Sequence, residues 1–279
     1  MSMLATELRE PAKPLHQRAR GEGRIDTQTR DGRTRLLSLY QEGCAKIRLP
    51  HTHADHLEAV FINTAGGLTG GDHVSWKAQV APHAHLVLTT QACERVYRSL
   101  GPAAEVETRL DVAQGAHLDW LPQETILFEH SHLNRSLEID LAEGATLLAI
   151  EAILLGRDAM GESARRSRLQ DRWRIRRNGR LVHAEATQLT GADLERDGMS
   201  SLRGANAFAT ILAIGPNAER KRDQLRALLP GDADIGVSAI GERLILRAFA
   251  PSGLALRRLI VPAIAMLTPS GTLPRLWSS

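Results

Sequence analysis

Cysteine is almost missing from this chain: 279 residues carry two, Cys44 and Cys93, in unrelated contexts and without C-x-x-C spacing. That excludes a disulfide framework and a thiolate zinc site, and it fits a reducing compartment. Aromatic residues are also scarce, at 4% of the chain, which leaves few platforms on which nucleic-acid bases could stack. Long apolar runs are lacking too, since no stretch approaches the roughly 20 residues of a membrane helix. The opening segment "MSMLATELREPAKPLHQRARGEGR" has no apolar core for a signal peptide, and its acids and prolines argue against a transit peptide. The expectation is a cytoplasmic protein behind a polar leader spanning residues 1–24.

What is present is an ordinary globular composition, 43% hydrophobic and 24% charged, over a length that supports one large core or two smaller ones. Net charge is +3, but the excess is local: eight arginines fall in "RRSRLQDRWRIRRNGR", between Arg165 and Arg180. Read as a strand, this segment sets Arg172, Arg174 and Arg176 on one side and Trp173 and Ile175 on the other. The cationic face is then either solvated or a docking surface for an acidic protein partner. Nucleic acid fits less well, because no recognition motif is spelled.

The first two thirds read as strands. "GRIDTQTR" and "TRLLSLYQEG" flank Asp31-Gly32, a hairpin turn signal. An internal repeat follows: "QVAPHAHLVLTT", "DVAQGAHLDWLP" and "DLAEGATLLAIE" bring Val80, Val112 and Leu141 into equivalent positions about 30 residues apart. Each copy is a strand, a tight turn and a strand, so the copies should stack side by side. The last third changes character, to β-α-β-β-α, with Pro216 and Asn217 starting one helix, Gly231 ending it and Pro262 kinking the other. The fold expected is mainly β: a stacked, helix-like arrangement of β-strands with two α-helices in a small C-terminal α/β subregion. Its body covers 25–279, divided into a strand stack (25–205), the α/β subregion (206–267) and a tail (268–279). A plain sandwich is the alternative.

Residues 51–56 read "HTHADH", the H-x-H-x-D-H spelling of metallo-β-lactamase-fold hydrolases, and a metal-dependent hydrolase is therefore the competing functional reading. Such a site needs histidines at the end of a strand with a helix after them. Here a β-type run, "LEAVFINTAGG", follows, and the glycine pair comes only at Gly66. His51, His53 and His56 then belong to a polar loop. With His73 beyond it, they are weak or adventitious ligands for nickel, copper or zinc, metals that suit neutral imidazole.

Downstream, "NTAGGLTGGD" runs from Asn63 to Asp72. A phosphate loop would need Lys-Ser/Thr where Asp72-His73 stands. Gly66, Gly67, Gly70 and Gly71 instead specify a sharp bend at which backbones approach closely. Glu151 lies in "LLAIEAILLG", apolar on both sides and so a fully buried strand; an acid there is either a hydrogen-bonded core group or a functional one. Glu185 sits in "LVHAEATQL" beside His183, and Glu162 either holds a turn or pairs with Arg157. Tyr97 reads as packing, with a partner interface as its second reading.

"NTAGGLTGGD", "LTTQACERVYRS", "WLPQETILF", "LLGRDAMGE" and the terminal "PRLWSS", in that order across almost the whole chain, resemble the urease accessory protein UreD (UreH) family. The resemblance implies a non-enzymatic scaffold that delivers nickel, carried transiently, to apo-urease. It implies as partners UreF, the GTPase UreG and the urease apoprotein subunits. It also implies a mostly β fold and a water-filled internal passage, which Asp72, Glu151 and Glu185 would line. The family pattern asks for no histidines at residues 51–56.

Overall fold

The structure is a computed structural model that describes residues 17–52, 54–157, 160–162, 164–190, 202–269, 271 and 273–277. Period-two alternation builds most of it. β1 (Arg20–Arg30) and β2 (Arg33–Gly43) form a hairpin closed by Asp31 and Gly32, whose φ angles of 53° and 70° are the left-handed pair that a tight two-residue turn requires. β3 (Ala45–Arg48) pairs antiparallel with β4 (Leu57–Asn63). The chain then winds through β5 (His73–Val80), β6 (His85–Thr90), β7 (Glu94–Val96), β8 (Ala104–Val112) and β9 (His117–Leu121). It continues through β10 (Thr125–Leu127), β11 (His132–Leu141), β12 (Thr146–Leu155), β13 (Arg168–Arg177) and β14 (Arg180–Thr190).

Two sheets result. The first runs β14-β13-β11-β8-β5-β1-β2, and the second begins β3-β4-β6-β9-β12. Each copy of the sequence repeat is one crossing between them: β5 to β6, β8 to β9, β11 to β12. The crossing turns place His83, Gly115 and Gly144 at φ of 57°, 64° and 67°. Copies pair in parallel register, with Val80 beside Val112 and Val112 beside Leu141 in the first sheet, and His85 beside His117 and His117 beside Thr146 in the second. The strands therefore stack, as the repeat requires.

β15 (Ala207–Ile214), α1 (Ala218–Leu228), β16 (Ile235–Ile240), β17 (Arg243–Ala250) and α2 (Gly253–Leu267) complete the chain. β15 pairs antiparallel with β12, so the C-terminal strands extend the second sheet as β12-β15-β17-β16. α1 starts at Asn217, which is left-handed and makes no side-chain cap; in α2 the Ser252 hydroxyl accepts from the Ala255 amide at 3.3 Å, and the helix runs through Pro262. Among the described residues no helix is long and apolar enough to cross a membrane.

One core fills the space between the sheets, and a second lies between the outer face of the second sheet and the helices. β12 serves both: Leu147 and Ala149 face the first core, Leu148 and Ile150 the second. At the C-terminus Trp277 is buried, its indole donating to the Leu121 carbonyl at 2.9 Å, so the tail is pinned to the second sheet. The leader differs from expectation. Residues 1–16 lie outside the described residues, but strand begins at Arg20, because β5 supplies a parallel backbone partner and Gly23 leaves the space that Trp76 fills.

Candidate functional site

Along β11 the inward positions read Leu133, Arg135, Leu137, Ile139, Leu141, so the strand's alternation delivers a guanidinium into the space between the sheets. A cation there needs counter-charge and full hydrogen bonding. Asp171, the register partner of Arg135 on β13, accepts from Nε at 3.1 Å and from Nη2 at 2.6 Å. Across the gap, Glu151 of β12 accepts from Nη1 at 2.5 Å, and its other oxygen accepts from the Trp120 indole at 3.0 Å. Burial, with Asp171 competing for the same guanidinium, pushes the Glu151 carboxyl above its ordinary range.

Beside this triad is a cavity of about 50 Å³ lined by Thr90, Glu94, Trp120, Gln123, Thr125 and Glu151, among others. It exceeds the roughly 10–15 Å³ that one water needs, and its walls are polar enough to hold one. Among the described residues Glu94 has no cation within hydrogen-bond reach; its oxygens accept from the Asn63 amide at 3.2 and 3.3 Å, and burial pushes its pKa from 4.5 to about 7. In the other direction, Glu151 is the register partner of Thr210, whose hydroxyl donates to Glu185 at 3.2 Å. Glu185 also accepts from Arg247 at 3.0 Å. Burial alone would raise the Glu185 pKa, but His183 and Arg247 outweigh it and hold it below its ordinary value. The result is a polar seam between the two sheets, running from Glu94 through Glu151 to Glu185.

Asp72 stands off the cavity wall. One oxygen accepts from the Ala19 amide at 2.8 Å and the other from the Thr69 amide at 2.7 Å, so its carboxylate ties the glycine loop to the first strand. The loop is the close bend expected. A Cβ on Gly67 would lie 2.4 Å from the Tyr97 ring, and one on Gly70 2.0 Å from the Ser99 hydroxyl, while Gly66 and Gly71 hold positive φ. Leu68, at the tip, is fully buried beside Val96.

A family model described as "UreD urease accessory protein" matches residues 19–278. A protein of Chelativorans sp. named urease accessory protein UreD is 61% identical over 278 residues, covering 100% of both chains. A protein of the same name from Rhizobium etli is 46% identical over 279 residues, again covering 100% of both. The chain belongs to the UreD family. The name describes an accessory protein rather than an enzyme, and the hydrolase reading of residues 51–56 ends there.

Within this UreD-family fold the hexapeptide is the loop between β3 and β4, and a strand follows it, not the helix that a metallo-β-lactamase-like site needs. His51 is exposed, His53 lies outside the described residues, and the His56 ring packs 5.0 Å from that of His85. His73 is separated from them, at the end of β5 opposite the turn that leads to His85, and sits 3.6 Å from Glu107. On β13 Arg172 and Arg174 are exposed and Arg176 half-buried, opposite buried Trp173 and Ile175. Tyr97 is partly exposed; its ring meets Phe128 edge-on at 5.1 Å and its hydroxyl donates to the Gly66 carbonyl at 3.3 Å. Glu162 pairs with Arg157 and also accepts from the Glu129 amide.

The sequence reading passed over Arg135, Asp171 and Glu94. An arginine at an inward position of a clean alternation was the available signal for the first, and an acid within "ACERVYRS" for the last. A second missed group lies on α2: Arg257 donates to Glu124 at 2.9 Å and lies 5.0 Å from the centre of the Trp277 ring.

Proposed function

We propose that this chain is the scaffold that, with UreF and the GTPase UreG, delivers nickel to apo-urease in the cytoplasm, the ion travelling through the seam between the sheets. The observation that carries this reading is a cavity between the sheets, with mixed polar and apolar walls, that both Glu94 and Glu151 line. Carboxylates of raised pKa, beside water, bind a dication by exchanging protons for it, and oxygen ligands release nickel more readily than a thiolate cage. On this reading the ion passes Glu94 and Glu151 and leaves by Glu185, while Asp72, off the cavity wall, holds the glycine loop beside it. Arg135 holds Glu151 in the resting chain, so passage requires that carboxylate to change partners.

Arg172, Arg174 and Arg176, with Tyr97 at the glycine loop, form the surfaces offered to UreF or urease, the arginines suiting an acidic partner. The experiment is co-expression with UreF, UreG and the urease subunits in a host lacking its own copy. Glu151→Gln combined with Asp72→Ala should lower urease activity and nickel content while the accessory complex still co-purifies. Full activation by that double variant would overturn the passage.

A further inference from the structure

The repeat places His85, His117 and Thr146 in a column across three strands of the second sheet, and His56, in the loop just before β4, extends it. The first three are direct register partners, and His56 extends the column by one residue beyond the first β4–β6 pair, Leu57 beside Leu86. Neighbouring rings touch, with centroids 5.0 Å apart for His56 and His85 and 4.7 Å for His85 and His117. This is the outer face of the sheet, away from the seam. Two residues along β9, on the same face, stands Asp119, 1% exposed. Its Oδ2 is 2.7 Å from His85 Nε2 and its Oδ1 2.9 Å from His117 Nε2, while His117 Nδ1 is 2.6 Å from the Thr146 hydroxyl.

Among the described residues, His85, His117 and Asp119 form a group whose donor atoms all lie within 4.8 Å of one another, close enough to share one metal ion. The side chains of His85 and His117 remain 23% and 17% exposed, so the group is reachable from solvent although its carboxylate is buried. Two imidazoles and one carboxylate are a ligand set for zinc, cobalt or nickel. In tetrahedral geometry such donors sit about 3.3 Å apart, given bonds of about 2.0–2.1 Å. The Nε2–carboxylate distances of 2.7 and 2.9 Å would open by about 0.4–0.6 Å to reach that spacing, and the two rings would settle around the shared ion. On binding, each neutral ring keeps its single proton but carries it on Nδ1 rather than Nε2, the exchange running through solvent, so that Nε2 is free for the ion and His117 Nδ1–H donates to Thr146, fixing the ring from behind.

We propose that His85, His117 and Asp119 form a surface-accessible site for one late first-row transition-metal dication, with Thr146 orienting His117 and the His56 ring packed beside that of His85. The site is separate from the seam and does not rest on nickel passing through it. The test is titration of the purified full chain with Co²⁺, followed by visible absorption and by competition with Zn²⁺. One Co²⁺ should bind per chain. His85→Gln and His117→Gln should each weaken binding at least tenfold, and Thr146→Val about tenfold, the lower end for a residue behind a ligand. Zn²⁺ should raise the melting temperature of the wild-type chain but not of the double variant His85→Gln, His117→Gln, which also reports whether that variant is folded. Glu151→Gln should bind Co²⁺ as wild type does, which separates this site from the passage. Absence of cobalt bands in the wild-type chain at millimolar metal, or unchanged affinity and spectrum in the folded double variant, would overturn the proposal.

Discussion

The two faces of the second sheet treat a buried carboxylate differently. On the inner face Glu151 is held by Arg135, a cation that does not give up its proton; Asp171 completes the triad, and the Trp120 indole also donates to Glu151. On the outer face Asp119 is held by two partly exposed imidazoles, whose ring nitrogens can serve a metal ion as well as a hydrogen bond. The first arrangement is a structural lock that must be opened before Glu151 does anything new. The second is ready to exchange its partner without moving a strand.

Removing the lock gives the largest expected effect. Arg135→Met leaves Glu151 and Asp171 buried without counter-charge, and urea unfolding should show a loss of about 3–5 kcal/mol. If the loss is below about 1 kcal/mol, the triad is not the fixed element described. Asp119→Ala should cost less, about 1–2 kcal/mol by the same measurement, because water reaches the two partly exposed imidazoles that it leaves behind.

Glu94 sharpens the contrast, being a half-buried acid with neither kind of cation bonded to it among the described residues. Its folded pKa of about 7 exceeds its ordinary 4.5. Between those values the folded chain holds more protons than the unfolded one, so this group's contribution makes stability fall as pH rises from about 4.5 to about 7, and flat above. Glu94→Gln should remove that slope and leave the chain more stable than wild type at pH 8, as read from thermal melts across pH. The smallest expected change is at the cationic face: Arg172→Ala with Arg174→Ala should alter stability by less than about 0.5 kcal/mol. The same pair should weaken binding to an acidic partner, more so at low salt.

Much of the frame was legible. The repeat predicted the stacked crossings, Asp31-Gly32 predicted the hairpin, and the alternation around Trp173 predicted which arginines face outward. Glu151 stood out as an acid inside an apolar run. Its partners did not, because Arg135 and Asp171 lie in other strands, and nothing local to any of the three records that they meet. The hexapeptide misled in the opposite sense: its spelling was complete, yet the strand after it denies it the geometry of a hydrolase site.

His56 is the instructive remainder of that motif. The repeats already aligned His85, His117 and Thr146 at one position, so the sequence by itself determined that these side chains share a column on one face of one sheet. Hydrophobic periodicity and repeat register are local properties, and they specify which face each residue leaves from. Only the tertiary structure decided that Asp119 reaches both rings, that His56 joins them from a loop, and that Arg135 meets Glu151 across the gap. Those contacts depend on which strands and sheets pack against one another, and on how closely, which is set by the whole core rather than by any one segment.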